Sequence, residues 1–238
     1  MIAPDQRGHG DTARIGAGGY YHFMDYVADL DDVITQLARR QVILVGHSMG
    51  GSVCGYYAGT RPARLTALAL IEGLGPPDMS ALDGPDRTAS WIDAWRTMRA
   101  KPQSPMAFDE AVRRLRKFDH LLDEPLARDL AEHGTRAVDG GYVWKHDPLH
   151  MTMGPYPYRL ETATRYWQRV TCPVMIVDGA QSKLNLPSTE RADRRRHFAS
   201  HRHVEIAEAG HAVQRHQPAV LADLLLELSP SRQGRPAP

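Results

Sequence analysis

Val42-Ile43-Leu44-Val45-Gly46-His47-Ser48-Met49-Gly50-Gly51 is the stretch on which the fold turns. Four uninterrupted apolar residues read as a strand buried on both faces. A Gly-x-Ser-x-Gly pattern follows. Met49 to Gly59, rich in small residues, then reads as a tightly packed helix. Passing from strand to helix in so few residues requires a sharp turn. A serine at its apex adopts a strained backbone, so the residues two before and two after must lack bulk. The turn lifts the hydroxyl above the sheet edge, and the N-terminal N–H groups of the helix favour negative charge beside it. Ser48 is therefore the candidate nucleophile and the Met49 N–H a candidate oxyanion donor.

Outward from this stretch, Leu65–Ile71 and Val174–Val177 are further apolar runs of strand length. His203–Ile206 is a weaker strand and Ile2–Ala3 a stub. Tyr26, Val27, Leu30, Val33, Ile34 and Leu37 recur at helical spacing from about Phe23 to Ala38. Pro218 opens a last helix. Strands alternating with helices predict an α/β protein with a mostly parallel sheet. The alternation breaks between about Gly73 and Arg169, where Trp91, Trp95, Val112, Leu115, Leu126 and Leu130 mark three helices separated by Gly- and Pro-rich turns. The expected organisation is a first core segment (1–73), a helical insertion (74–168), a second core segment (169–228) and a disordered tail (229–238) rich in Pro, Ser, Gly and Arg.

Composition sets outer bounds. Hydrophobic residues make up 42% of the 238 and charged residues 24%, which fits a globular chain. With 29 Lys and Arg against 28 Asp and Glu, a net charge of +1 gives no reason to expect nucleic acid or an anionic membrane as partner. The basic run Arg191 to His197 is expected to be one solvated helix face. Cys54 and Cys172 make no disulfide framework and are expected to be reduced core thiols. No apolar run is long enough to span a bilayer and no leader is visible, so the expectation is a cytoplasmic protein. No His, Asp or Glu spacing suggests a metal site, and no cofactor is expected.

At Gly46-His47-Ser48-Met49-Gly50-Gly51 the chain resembles the nucleophile turn of the α/β-hydrolase family. Ala3-Pro4-Asp5-Gln6-Arg7-Gly8-His9-Gly10 is similar to the loop after that family's fourth strand, where Asp5, Arg7 and His9 would serve the turn rather than catalysis. His133-Gly134-Thr135-Arg136 through Trp144-Lys145-His146-Asp147-Pro148 resembles a branch called serine hydrolase-like proteins. The resemblance implies an α/β-hydrolase fold lacking its first three strands, with residues 74–168 as a helical cap. It further implies acyl transfer to water through an acyl-enzyme. Ser48 where some relatives have Asp argues against epoxide or haloalkane chemistry. The aromatic content of the insertion fits a small to medium apolar ester, so the expected partner is a small ester-like molecule.

Among twelve histidines, His211 lies in Ala209-Gly210-His211-Ala212-Val213, where the family places its general base. His201, His203 and His216 are expected at the surface, and His47 as packing beside the nucleophile. The acid departs from the family pattern. Gly179-Ala180-Gln181-Ser182 puts serine where Gly-x-x-Asp is expected. Glu72, directly after an apolar strand and before Gly73, is the favoured carboxylate, with Asp178 as the alternative. The resemblance also implies three strands and a helix ahead of Met1-Ile2-Ala3-Pro4, one of them supplying the second oxyanion donor. The chain as written is then expected to fold poorly and hydrolyse weakly, and the alternative function is a truncated or non-catalytic homologue.

Overall fold

Long apolar runs become the inner strands of a parallel sheet because a strand covered on both faces has no polar side to show. The computed structural model describes residues 1–16, 18–37, 41–100, 102–183 and 186–229. In chain order the elements are α1 (Phe23–Leu37), β1 (Val42–His47), α2 (Met49–Thr60), β2 (Leu65–Ile71), α3 (Pro85–Ala100), α4 (Phe108–Phe118), α5 (Glu124–Gly134), β3 (Thr135–Val138), β4 (Gly141–Trp144), α6 (Leu160–Trp167), β5 (Val174–Gly179), α7 (Ser188–Arg195), β6 (His201–Ile206), α8 (Val213–His216) and α9 (Pro218–Glu227). They fall into two compact units, one of Val27–Ser80 with Tyr158 onward, the other of Met1–Tyr26 with Ala81–Pro157.

The first unit holds a sheet of order β1-β2-β5-β6 with every pair parallel. β2 and β5 occupy the centre and are buried almost throughout, whereas β1 and β6 are edges. Ala67, Ala69 and Ile71 face a core shared with Met175, Val177 and Leu221. Leu68 and Leu70 point the other way and are equally inaccessible. Each such Leu or Ile contributes about 1.5–3 kcal/mol on leaving water. α2 is buried from Gly51 to Gly59, which accounts for its small residues.

Residues 2–3 form no strand. Pro4 lacks an N–H and cannot extend a ladder there. The expected helix end at Ala38 and tail residues 230–238 lie outside the described residues.

The second unit contains α3, α4 and α5, as the sequence suggests, and also an antiparallel hairpin β3–β4 that helical periodicity did not reveal. Val138 pairs with Gly141, leaving Asp139-Gly140 as a two-residue loop. That is a known hairpin signal, and Gly140 and Gly141 have φ of 85° and 141°. Met106, Ala111, Val112, Leu122, Ala127 and Ala131 form this unit's core. Asp5 accepts the Asp11 N–H within its loop, whereas Arg7 pairs with Asp25 in the first turn of α1 at 3.3 Å. His9 stacks on His150 with ring centroids 4.0 Å apart, and Tyr21 lies equally close to His150. Burial, then the neighbouring His9, pushes the His150 imidazole down to about 4. No helix among the described residues is long and apolar enough to cross a membrane.

Candidate active site

The register of the parallel sheet brings the site together. His47 pairs with Ile71 and Ile71 with Val177, so these strands end level at their carboxyl edge. Ser48 is the first residue beyond β1 and Glu72 the first beyond β2. The Ser48 N–H donates to the Ile71 carbonyl at 2.9 Å, and the Glu72 N–H to the Val177 carbonyl at 2.8 Å. Both residues then leave the sheet abruptly, with φ of 53° and 49°. Glu208, just past β6, completes the set of three non-glycine residues with positive φ among those described. Such conformations cost about 1–3 kcal/mol each and cluster where function holds them in place.

Glycines make these turns possible. A Cβ on Gly46 would lie 2.4 Å from the Gly50 carbonyl oxygen, and one on Gly51 2.6 Å from the Gly73 Cα. Neither position admits even a methyl group, so α2 rests directly against the turn that carries Glu72.

Three side chains converge at this edge. His211 Nε2 lies 2.9 Å from Ser48 Oγ, and His211 Nδ1 lies 3.2 Å from Glu72 Oε2. The carboxylate is almost completely enclosed, with 3% of its side chain exposed, against 23% for His211. It is fully supplied with donors: the Gly179 N–H reaches Oε1 at 2.7 Å and the Ser182 hydroxyl reaches Oε2 at 2.9 Å. Ser182, at the position where the sequence pattern calls for an acid, thus holds the carboxylate that stands elsewhere. Met49 opens α2, so its N–H belongs to the first helical turn, whose amides have no intrahelical acceptor.

Asp178 turns away from this group. Its carboxylate accepts from Arg191 at 3.0 Å and from His203 Nε2 at 2.9 Å, and Arg195 lies 3.6 Å away. With 3% of its side chain exposed, it is a buried charge compensated by cations. The run Arg191 to His197 is accordingly not one solvated face. Arg194 is the most enclosed of its arginines and donates to the carbonyls of Leu74, Gly75 and Pro76, just beyond Glu72. Periodicity hides this, because the acceptors lie far away in sequence. Of the three histidines expected at the surface, His201 and His203 are exposed, His201 facing the Phe198 carbonyl and His203 bonded to Asp178, whereas His216 is half-buried and its Nδ1 accepts the Gly210 N–H.

His47 does more than pack. Its Nε2 lies 2.8 Å from the His211 carbonyl oxygen, and Gln214 Nε2 lies 3.4 Å from its Nδ1. Burial holds this imidazole below its ordinary range. Cys54, under the turn, has its thiol pushed up to about 12 by burial and stays protonated at neutral pH. Among the described residues no group of three or more His, Cys, Asp or Glu is arranged to hold a metal ion.

The family model of the alpha/beta hydrolase fold matches residues 1–215. The chain belongs to the α/β-hydrolase family. Its relatives include proteins named as serine hydrolases or serine hydrolase-like. It is 28% identical over 151 residues to a serine hydrolase-like protein of zebrafish, Danio rerio, covering 62% of this chain and 46% of that protein. The chain spans about half the length of the curated relatives it matches. Among solved structures, a hypothetical protein of Pseudomonas aeruginosa PAO1 superposes with a TM-score of 0.81 at 28% identity, covering 97% of this chain and 81% of that one. A thioesterase domain from the curacin biosynthetic pathway gives 0.79 at 26% identity, covering 94% and 78%.

Proposed function

We propose that this α/β-hydrolase is a serine esterase of the carboxylesterase type, with Ser48 as nucleophile, His211 as general base and Glu72 as the acid of the triad. The observation that carries the reading is the pair of hydrogen bonds linking Ser48, His211 and Glu72 in series, at 2.9 and 3.2 Å. A serine hydroxyl is too weak an acid to attack unaided and needs an imidazole within hydrogen-bond reach. The Glu72 carboxylate accepts the Nδ1–H, which leaves Nε2 free to take the serine proton and stabilises the imidazolium that forms.

The reaction proceeds in two balanced halves. Ser48 Oγ bonds to the ester carbonyl carbon while its proton passes to His211 Nε2. The tetrahedral oxyanion is met by the Met49 N–H, and its collapse breaks the ester bond as His211 returns the proton to the leaving alkoxide. Water, deprotonated by His211, then attacks the acyl-enzyme, releasing the carboxylic acid and regenerating Ser48. Residues 74–168 are assigned the part of a cap that selects the acyl group. Their aromatic side chains, Trp91, Trp95 and Tyr142 among them, suit a small to medium apolar ester. Two free, buried cysteines accord with cytoplasmic residence.

A thioester is the second reading. It is favoured by the likeness to the curacin thioesterase domain, since the same acyl-enzyme serves a better leaving group. A fluorophosphonate probe tests the shared chemistry. Stoichiometric labelling that Ser48→Ala abolishes is expected. A wild-type protein that takes no label would return the chain to the reading of a non-catalytic binding protein. Comparing oxygen and sulfur esters of one acyl chain then separates the two substrate classes.

A further inference from the structure

The strand order poses a mechanical problem for the site. Ser48 follows β1 and His211 follows β6, and these are opposite edges of the sheet, with β2 and β5 between them. No strand pairing joins the two segments. The bond between Ser48 Oγ and His211 Nε2 cannot serve as their fixed link, because on the proposed reading it is exchanged in every turnover. Glu72 holds the imidazole from one side, at 3.2 Å, but it follows β2 and not the serine strand, which leaves room for a direct link between the histidine loop and the serine turn.

We propose that His47 is a positioning residue which ties the His211 backbone to the serine turn through the whole catalytic cycle. The proposal rests on the assignment of Ser48 and His211 made above. A carbonyl oxygen can only accept, so at 2.8 Å His47 Nε2 must donate to the His211 carbonyl. In the neutral ring Nδ1 is then an acceptor, and the Gln214 side-chain amide faces it at 3.4 Å. Gln214 sits in α8, three residues past His211, so His47 engages the loop at two points. The two imidazoles lie with centroids 4.8 Å apart. The charged or titratable groups near His47 are His211, Arg215 and Glu72. Burial lowers the His47 pKa, and the bond to the His211 carbonyl opposes that shift in part. Its place immediately before Ser48 in the chain makes the tether as short as covalent geometry permits.

The test compares three substitutions in the full-length protein. His47→Phe keeps a ring and removes the donor. His47→Asn keeps an amide too short to reach the carbonyl. His47→Gln places an amide N–H at the reach of the original Nε2. Kinetics on p-nitrophenyl butyrate and the rate of fluorophosphonate labelling are the readouts, with circular dichroism to show folding. Phe and Asn should each lower kcat about 10- to 100-fold, the scale of a misplaced catalytic group, with KM changed less than about threefold. Gln should restore kcat to within about threefold of wild type. If Phe fails to fold, the contrast of Asn with Gln carries the same information. Asn retaining wild-type kcat, or Gln as impaired as Asn, overturns the tether. A wild-type protein inert to the probe strikes the assignment of Ser48 instead, so the two failures are distinguishable.

Discussion

Ser182 donates its hydroxyl to Glu72 Oε2 at 2.9 Å, the same oxygen that lies 3.2 Å from His211 Nδ1. The residue after β2 and the residue three beyond β5 therefore converge on one point. A carboxylate placed at either could face the imidazole. Glu72→Ala should lower kcat by about 10³–10⁴-fold, as expected when the histidine loses the partner that fixes its tautomer. Glu72→Ala combined with Ser182→Asp should recover at least about tenfold of that loss. Steady-state kinetics on a p-nitrophenyl ester check both. A double variant no better than the single one would show that position 182 cannot deliver a charge to His211.

Asp178 should matter for stability and not for chemistry. Removing its charge leaves Arg191 and Arg195, each with 16% of its side chain exposed, without their anion. Asp178→Asn should cost about 3 kcal/mol, read as a lower urea midpoint. The folded fraction should still be labelled at Ser48. Selective loss of labelling with an unchanged midpoint would reassign this carboxylate to the reaction.

The positive φ of Ser48 predicts a trade. Ser48→Gly removes the strain of a side chain at φ 53° and should raise stability by about 1 kcal/mol while ending ester turnover. Ser48→Ala keeps a Cβ and should not gain as much. Chemical denaturation of the two variants side by side measures the difference, and equal midpoints would show that the turn is not strained.

Acid should weaken the unit that holds His150. Its folded value of about 4 lies below the ordinary 6.5 of an unfolded histidine. Between those values the unfolded chain binds the extra proton, so stability falls as pH drops from about 6.5 towards 4. The loss amounts to roughly 2–3 kcal/mol. Burial also lowers the His146 imidazole, which acts in the same direction. Unfolding free energies measured across this range should show a steeper slope for wild type than for His150→Phe. Parallel slopes would contradict it.

What the sequence disclosed, and what it hid, follows from how far each interaction reaches. The strand-turn-helix around Ser48 is written in ten consecutive residues, because its sterics are local. An apolar run ending in a carboxylate puts that carboxylate at a strand end, which marked Glu72 and Asp178 alike; what distinguishes them, the turn of Asp178 towards Arg191 and His203, is not local in sequence. Arg194 was not readable, since its carbonyl acceptors at Leu74, Gly75 and Pro76 are about 120 residues away and a buried arginine has the same periodicity as a solvated one. His203 is exposed as expected, whereas His216 is half-buried because its Nδ1 accepts the Gly210 N–H. The β3–β4 hairpin did leave a local mark in Asp139-Gly140, but the three helical patterns ahead of it carried the reading of the whole segment.

The contact between Gly51 and Gly73, too close for a methyl group on either, has a thermal consequence. Helix α2 and the turn bearing Glu72 have no slack between them, so warming cannot ease one away from the other by degrees. Serine and carboxylate should drift together as one rigid piece. Turnover should therefore climb smoothly with temperature and then collapse at the melting point, with no intermediate range of a warm, folded but slackened enzyme.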